Sequence, residues 1–322
     1  MPGTLMPELP PIISMGRVFF QKKTQERDFM TDSSPSAQTR PVRDIELTLP
    51  HIQLQAKAWG APDGQPVLAL HGWLDNAETF SRLIPLLPEE LYIVALDLPG
   101  HGLSQHREKG AMYHFIEWVP DIFDAADALG WDMFSLMGHS MGAGAATLAA
   151  GAMPQRVERL VLLEGIGPLT TPPSEAPAQM RRALEQRHRY FSREHRVYPD
   201  VESAIEQRMN GFPVEEEGAR LLVERGTKMD QEGVRFRFAQ MLRATSLMRL
   251  TEPVVHAFLS AIECPTLFVR ASEGFLHRPG VDERVKQCKP MTVLDVEGGH
   301  HVHLDAPERI ATQVAEHLHL SS

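Results

Sequence analysis

The sequence predicts an α/β protein built on a mostly parallel, doubly wound sheet. Two observations carry this. Val67-Leu68-Ala69-Leu70, Tyr92-Ile93-Val94-Ala95-Leu96 and Leu160-Val161-Leu162-Leu163 are almost continuously apolar, as strands covered on both faces are. Helical stretches at about 77–87, 114–129 and 141–152 separate such runs, and alternation of strand and helix is the pattern of a parallel sheet between helix layers.

Residues 1–43 are polar and dotted with proline, and read as a flexible leader. They lack a basic start followed by an apolar core, so no cleaved signal is expected. From residue 44 the pattern changes. Ile45-Glu46-Leu47-Thr48-Leu49 and Ile52-Gln53-Leu54-Gln55-Ala56 alternate apolar and polar residues, which predicts a half-exposed hairpin at the sheet edge. The core is expected over 44–167 and 261–322, with last strands near 266–270 and 291–296. The stretch 168–260 between them is rich in Arg, Glu, Gln and Met. It reads as a helical cap over the C-terminal edge of the strands, where open α/β sheets bind ligands.

Composition narrows the function. The formal charge is −10, from 42 acidic and 32 basic residues, which disfavours a nucleic-acid partner. No stretch approaches ~18 continuous apolar residues, so no membrane span is expected, and the cytoplasm is the default location. Cys264 and Cys288 are the only cysteines; they are too few for a disulfide scaffold and read as reduced thiols.

The chemistry begins at Gly138-His139-Ser140-Met141-Gly142, a G-x-S-x-G between a strand candidate (134–137) and a helix of small residues. A serine lifted clear of a sheet on so tight a turn tolerates no bulk two residues away on either side. Strand, turn and helix are the setting of a nucleophile elbow, with Ser140 as nucleophile. The Met141 backbone N–H, at the helix start, is the expected oxyanion donor. The Trp73 N–H, in the His71-Gly72-Trp73 loop after a strand, is the second. His71 is read as packing and orienting that loop. Asp75 and Glu78 are read as a helix cap, and Asp97 and His101 as structural. His139 and Phe80 are expected to line the substrate pocket.

Gly298-Gly299-His300-His301-Val302-His303 follows the last strand. His300, directly after the glycine pair, is the expected general base. Three histidines in four positions also suggest a metal, but no acidic ligand set accompanies them, so neither metal nor cofactor is expected. The acid that orients the histidine is open between Glu164, at the end of the strand beside that of Ser140, and Glu273, with Asp282 further on.

These motifs resemble the α/β-hydrolase superfamily, and most of all its serine hydrolase-like proteins. The shared features are His71-Gly72-Trp73-Leu74-Asp75-Asn76, Gly100-His101-Gly102-Leu103-Ser104, Gly138-His139-Ser140, the His300-to-Pro307 spacing and, in the insertion, Leu221-Leu222-Val223-Glu224-Arg225-Gly226-Thr227-Lys228. The resemblance spans about 44–318 and implies an α/β-hydrolase fold with a Ser-His-acid triad. One departure matters. Where such proteins often carry an aspartate after the penultimate strand, this chain reads Ala271-Ser272-Glu273-Gly274. Some haloalkane dehalogenases, which are similar, instead place a Glu after the strand that follows the nucleophile helix. Leu162-Leu163-Glu164-Gly165 looks like that arrangement and favours Glu164. Dehalogenase and epoxide hydrolase chemistry is not implied, because those enzymes need an Asp where Ser140 stands. The expected activity is cleavage of a small or medium carboxylic ester, or a related thioester or lactone, through an acyl-enzyme. The alternatives are a carbon–carbon hydrolase or lyase with the same triad, and a ligand-binding protein that keeps the hydrolase shell.

Overall fold

A computed structural model describes residues 40–277 and 279–319. Nearly all of the expected leader thus lies outside the described residues. The chain runs β1 (Val42–Thr48), β2 (Gln53–Trp59), β3 (Gln65–Leu70), β4 (Leu91–Leu96), α1 (Trp118–Leu129), β5 (Phe134–His139), α2 (Met141–Ala152) and β6 (Val157–Leu163). It continues with α3 (Ala176–Phe191), α4 (Val201–Gly211), α5 (Glu216–Gly226), β7 (Thr227–Asp230), β8 (Gly233–Phe236) and α6 (Glu252–Ser260). Then come β9 (Thr266–Ala271), α7 (Val281–Gln287), β10 (Met291–Val296), α8 (Val302–Asp305) and α9 (Ala311–Leu318).

Eight strands form one sheet in the order β1-β2-β4-β3-β5-β6-β9-β10. The β1–β2 hairpin is antiparallel and meets β4 antiparallel, whereas β4 through β10 run parallel. Side chains alternate between two cores, as a two-residue period requires. Leu68 and Leu70 of β3 join the cluster under α1, α2 and α6, while Val67 and Ala69 join Phe80, Leu83 and the α9 residues Val314 and Leu318 on the other face. Both faces are therefore covered, and β4 and β5 are buried at every position.

Two elements differ from expectation. The helix expected over 77–87 is two short 3₁₀ turns, Ala77–Phe80 and Ile84–Leu86. Pro85 lacks the N–H that an α-helix would need there and ends the run. The 168–260 insertion is not helical throughout. It contains the antiparallel β7–β8 pair, and α6 packs its Val255 and Leu259 into the sheet's helix layer. The α4, α5 and β8 part holds a small core of its own, with Ile205, Leu222, Val223 and Val234 around Leu304. Among the described residues no helix is long and apolar enough to cross a membrane. Cys264 and Cys288 are buried free thiols, and burial pushes the Cys264 thiol up to about 11.

Candidate active site

The strand register brings the candidate residues together. His139 ends β5 opposite Leu163 of β6, and Leu163 lies opposite Val269 of β9. Ser140 and Glu164 are the next residues on neighbouring strands, so both sit at the C-terminal edge of the sheet. The pairing carries on past the strand ends: Ser140 N–H donates to Leu163 O and Glu164 N–H to Val269 O.

Ser140 has φ 51° and ψ −109° and caps α2. This is a left-handed conformation costing of order 1–3 kcal/mol for a residue with a side chain. The glycines at ±2 make it attainable. A Cβ on Gly138 would fall 2.5 Å from Gly142 O, and one on Gly142 would fall 2.1 Å from Leu70 O. Helix α2 is small and buried along most of its length, so it packs tightly on the sheet and fixes the elbow. The Met141 N–H, in the first turn of α2, has no intrahelical acceptor.

The loop after β3 lies beside the elbow, because Leu70 is opposite Gly138. His71 is fully buried; Leu98 N–H donates to its Nε2 at 3.0 Å, which leaves Nδ1–H to donate to Gly72 O at 2.7 Å. That matches a loop-orienting role. Trp73 Nε1–H donates to Leu242 O at 2.9 Å, tying the loop to the insertion. Leu74 next to it has φ 64°.

Glu164 is 1% exposed and, like Ser140, left-handed at φ 49°. Its carboxylate accepts the Ala271 N–H at 2.7 Å and the Phe275 N–H at 3.1 Å. His300 Nδ1, on the loop after β10, donates to the same Oε2 at 3.1 Å. The space this carboxylate fills exists because residue 274 is glycine: a Cβ there would lie 2.1 Å from Glu164 Oε2 and 2.4 Å from its Cδ. Glu273, the other leading candidate, is exposed, and among the described residues only its backbone N–H is engaged, with Gly298 O. Asp282 pairs with Arg270 at the surface. The Phe275 ring packs 4.4 Å from that of His300.

His139 and Phe80 do not line an open pocket. Phe80 is fully buried in the core beneath the loop after β3, 5.7 Å from the His303 ring. His139, 1% exposed, lies behind the elbow and donates from Nε2 to His300 O at 3.0 Å. Burial holds its pKa down at about 3, and burial likewise keeps that of His303 well below 6.5.

One buried group has no signal in the sequence. Asp75, expected to cap a helix, is 3% exposed and accepts from Arg208 of α4 at 2.7 Å, with His301 Nε2 3.1 Å away. Burial would raise its pKa, but Arg208 and the neighbouring imidazoles outweigh that and hold it well below the usual range. Asn76 caps the turn in its place, and Glu78 pairs with Lys57 at 2.7 Å. A partner more than a hundred residues away leaves no local pattern. Asp97 is structural as expected: it accepts Ala77 and Leu103 N–H at 2.8 Å each and the Arg225 Nε–H at 2.9 Å.

Comparison with known proteins identifies the fold and the family. The family model described as alpha/beta hydrolase fold matches residues 65–307. A serine hydrolase-like protein of Danio rerio is 33% identical over 87% of this chain and 89% of its own length. A hypothetical protein of Pseudomonas aeruginosa PAO1 superposes with a TM-score of 0.80 at 41% identity, covering 85% of this chain and 97% of that one. The thioesterase domain from the curacin biosynthetic pathway superposes at 0.75 and 28% identity, over 85% and 99%. The chain belongs to the α/β-hydrolase family.

Proposed function

We propose that this protein is a serine hydrolase acting on small or medium carboxylic esters or related thioesters, with Ser140 as nucleophile, His300 as base and Glu164 as acid. The observation that carries this is the pairing of a strained Ser140 elbow with a buried His300–Glu164 hydrogen bond, in a space that only a glycine at 274 leaves open. His300 Nδ1–H is committed to Glu164, so Nε2 is the free, basic nitrogen. Ser140 Oγ attacks the carbonyl carbon as its proton passes to His300 Nε2. The imidazolium so formed is stabilised by Glu164. The N–H groups of Trp73 and Met141 receive the oxyanion, each worth ~10²–10³ in rate. Collapse expels the leaving group, which takes the proton from His300. Water, activated by the same nitrogen, then frees the acid from Ser140. Nothing in this sequence needs a cofactor.

The substrate class rests on relatives. The serine hydrolase-like names and the similarity to a thioesterase domain both favour acyl transfer, although one fold serves many chemistries. The test is labelling by a fluorescent fluorophosphonate. Wild type is expected to label, Ser140→Ala not at all, and His300→Ala and Glu164→Gln far more slowly. A folded wild type that does not label refutes the assignment and favours a binding protein on a hydrolase shell.

A further inference from the structure

Behind the elbow, three lone pairs meet. His139 Nε2 faces a carbonyl, His300 O, at 3.0 Å. Because a carbonyl only accepts, that nitrogen carries the hydrogen and Nδ1 is bare. Among the described residues, His139 Nδ1 is buried without a hydrogen-bond partner, 3.6 Å from Asp75 Oδ2. His301 repeats the arrangement: Nδ1 faces Pro213 O at 2.9 Å, so it donates, and the bare Nε2 lies 3.1 Å from the same Asp75 Oδ2. Two imidazole lone pairs thus point at one carboxylate oxygen. Arg208 Nη2 relieves one side only, at 2.7 Å from Asp75 Oδ1 and 3.3 Å from His301 Nε2.

We propose that Asp75, His139 and His301 form a binding site for a divalent transition-metal ion, with Zn²⁺ the best fit. Two imidazoles and a carboxylate suit zinc, and both rings have their outer N–H anchored on a backbone carbonyl, as metal-bound histidines do. Ligand atoms around a tetrahedral zinc stand about 3.3 Å apart for bonds of about 2.0 Å. Here two separations are 3.1 and 3.6 Å, and all three ligand atoms lie within 4.8 Å of one another. Gly72 keeps the cradle open, since a Cβ there would sit 2.8 Å from His139 Nδ1 and 3.0 Å from Asp75 Oδ2. Asp75 also borders a small surface cleft, together with Leu74, Asn76, Arg208 and Phe236. The acidic ligand absent from the local histidine sequence therefore comes from the loop after β3. Arg208 competes with the ion for the same oxygens and nitrogen. Because His139 donates to His300 O and His301 is the next residue along the chain, bound metal would also be felt at the proposed base. The site itself stands on its own geometry, whatever Ser140 does.

The test uses the full chain carrying Ser140→Ala, stripped with chelator and titrated with Co²⁺ by visible absorption and with Zn²⁺ by calorimetry. One equivalent is expected to bind, with the intense visible bands of four-coordinate cobalt. Asp75→Asn and His301→Gln should abolish this, and exposed His188→Gln should not. Arg208→Gln, which removes a cation beside the ion, should tighten binding by about tenfold or more. X-ray absorption on the zinc-loaded chain, which needs no variant at the ligands, should count two imidazoles. The proposal is overturned if neither the Ser140→Ala chain nor its Arg208→Gln derivative binds, the cluster then being satisfied by a proton on His301. It is equally overturned if binding survives in folded His301→Gln or Asp75→Asn, or if fewer than two imidazoles surround the zinc.

Discussion

The exchange between Glu164 and Gly274 can be tested by moving the acid. A methyl group at position 274 would sit 2.1 Å from Glu164 Oε2, and ordinary contact begins at 3.4 Å, so the carboxylate must retreat by 1.3 Å in Gly274→Ala. That retreat strains three hydrogen bonds at once, from Ala271 N–H, Phe275 N–H and His300 Nδ1–H. Misplacing a catalytic group by ~1 Å costs about 10²-fold, and hydrogen bonds to a charged group contribute ~1.5–3 kcal/mol each. The fluorophosphonate labelling rate of Gly274→Ala is therefore expected to fall by about 10² with the fold intact by circular dichroism. Glu164→Gln should fall by about 10²–10⁴. In the double variant Glu164→Gly, Gly274→Asp the acid returns from the other side of the same space, and labelling should exceed that of either single change, Glu164→Gly or Gly274→Asp. A Gly274→Ala protein that labels within about threefold of wild type would refute the reasoning, because the carboxylate would then not need that space. A double variant no better than its singles would show that the two positions do not serve one function.

Three further outcomes follow from the same contacts. Arg225→Met strands the fully buried Asp97 carboxylate, leaving only its main-chain donors, and should lower unfolding free energy by about 3–5 kcal/mol in urea. Glu164→Asp should label nearly as poorly as Glu164→Gln, since one methylene less cannot reach Ala271 N–H, Phe275 N–H and His300 together; near-wild-type labelling would contradict this. The third concerns pH. His139 is held at about 3 by burial, so between 6.5 and 3 it stays neutral in the fold while the unfolded chain takes up the proton. Stability from this group is complete above 6.5 and is lost as pH falls towards 3. Between pH 7.5 and 5.5 it accounts for a loss of about 1.4 kcal/mol. His71, His101 and His303, also held low by burial, add in the same direction. His139→Gln should flatten the slope by that amount in urea titrations at the two pH values.

What could be read in advance was what lies close along the chain. The apolar runs at 67–70, 92–96 and 160–163 are strands because continuous burial leaves a continuous pattern, and the G-x-S-x-G turn shows itself because crowding excludes side chains at fixed offsets. The failures share a cause. Phe80 stands near the loop after β3 along the chain, but the direction it points is set by the sheet beneath it. The stretch 77–87 forms 3₁₀ turns in place of the expected helix because Pro85 breaks the ladder without disturbing the apolar spacing. The β7–β8 pair is four residues a strand, too short to show alternation amid charged residues. Asp75 and Arg208, 2.7 Å apart in space, are 133 positions apart in sequence.

Among the described residues, four that are not glycine adopt positive φ: Leu74, Tyr113, Ser140 and Glu164. Three of these lie on the strand-end loops that carry the proposed oxyanion donor, nucleophile and acid. Strain of order 1–3 kcal/mol persists only where surrounding contacts over-determine the backbone, and each of the three has such contacts. Ser140 is locked by α2 against the sheet, Glu164 by two main-chain donors, and Leu74 by neighbours whose side chains reach the insertion, Trp73 to Leu242 and Asp75 to Arg208. The first two locks belong to the sheet. The third crosses to the insertion, so the position of the Trp73 N–H, unlike those of Ser140 and Glu164, depends on how α4 and the 240–243 turn are seated. Changes in the insertion should therefore act on the oxyanion step before they act on the nucleophile.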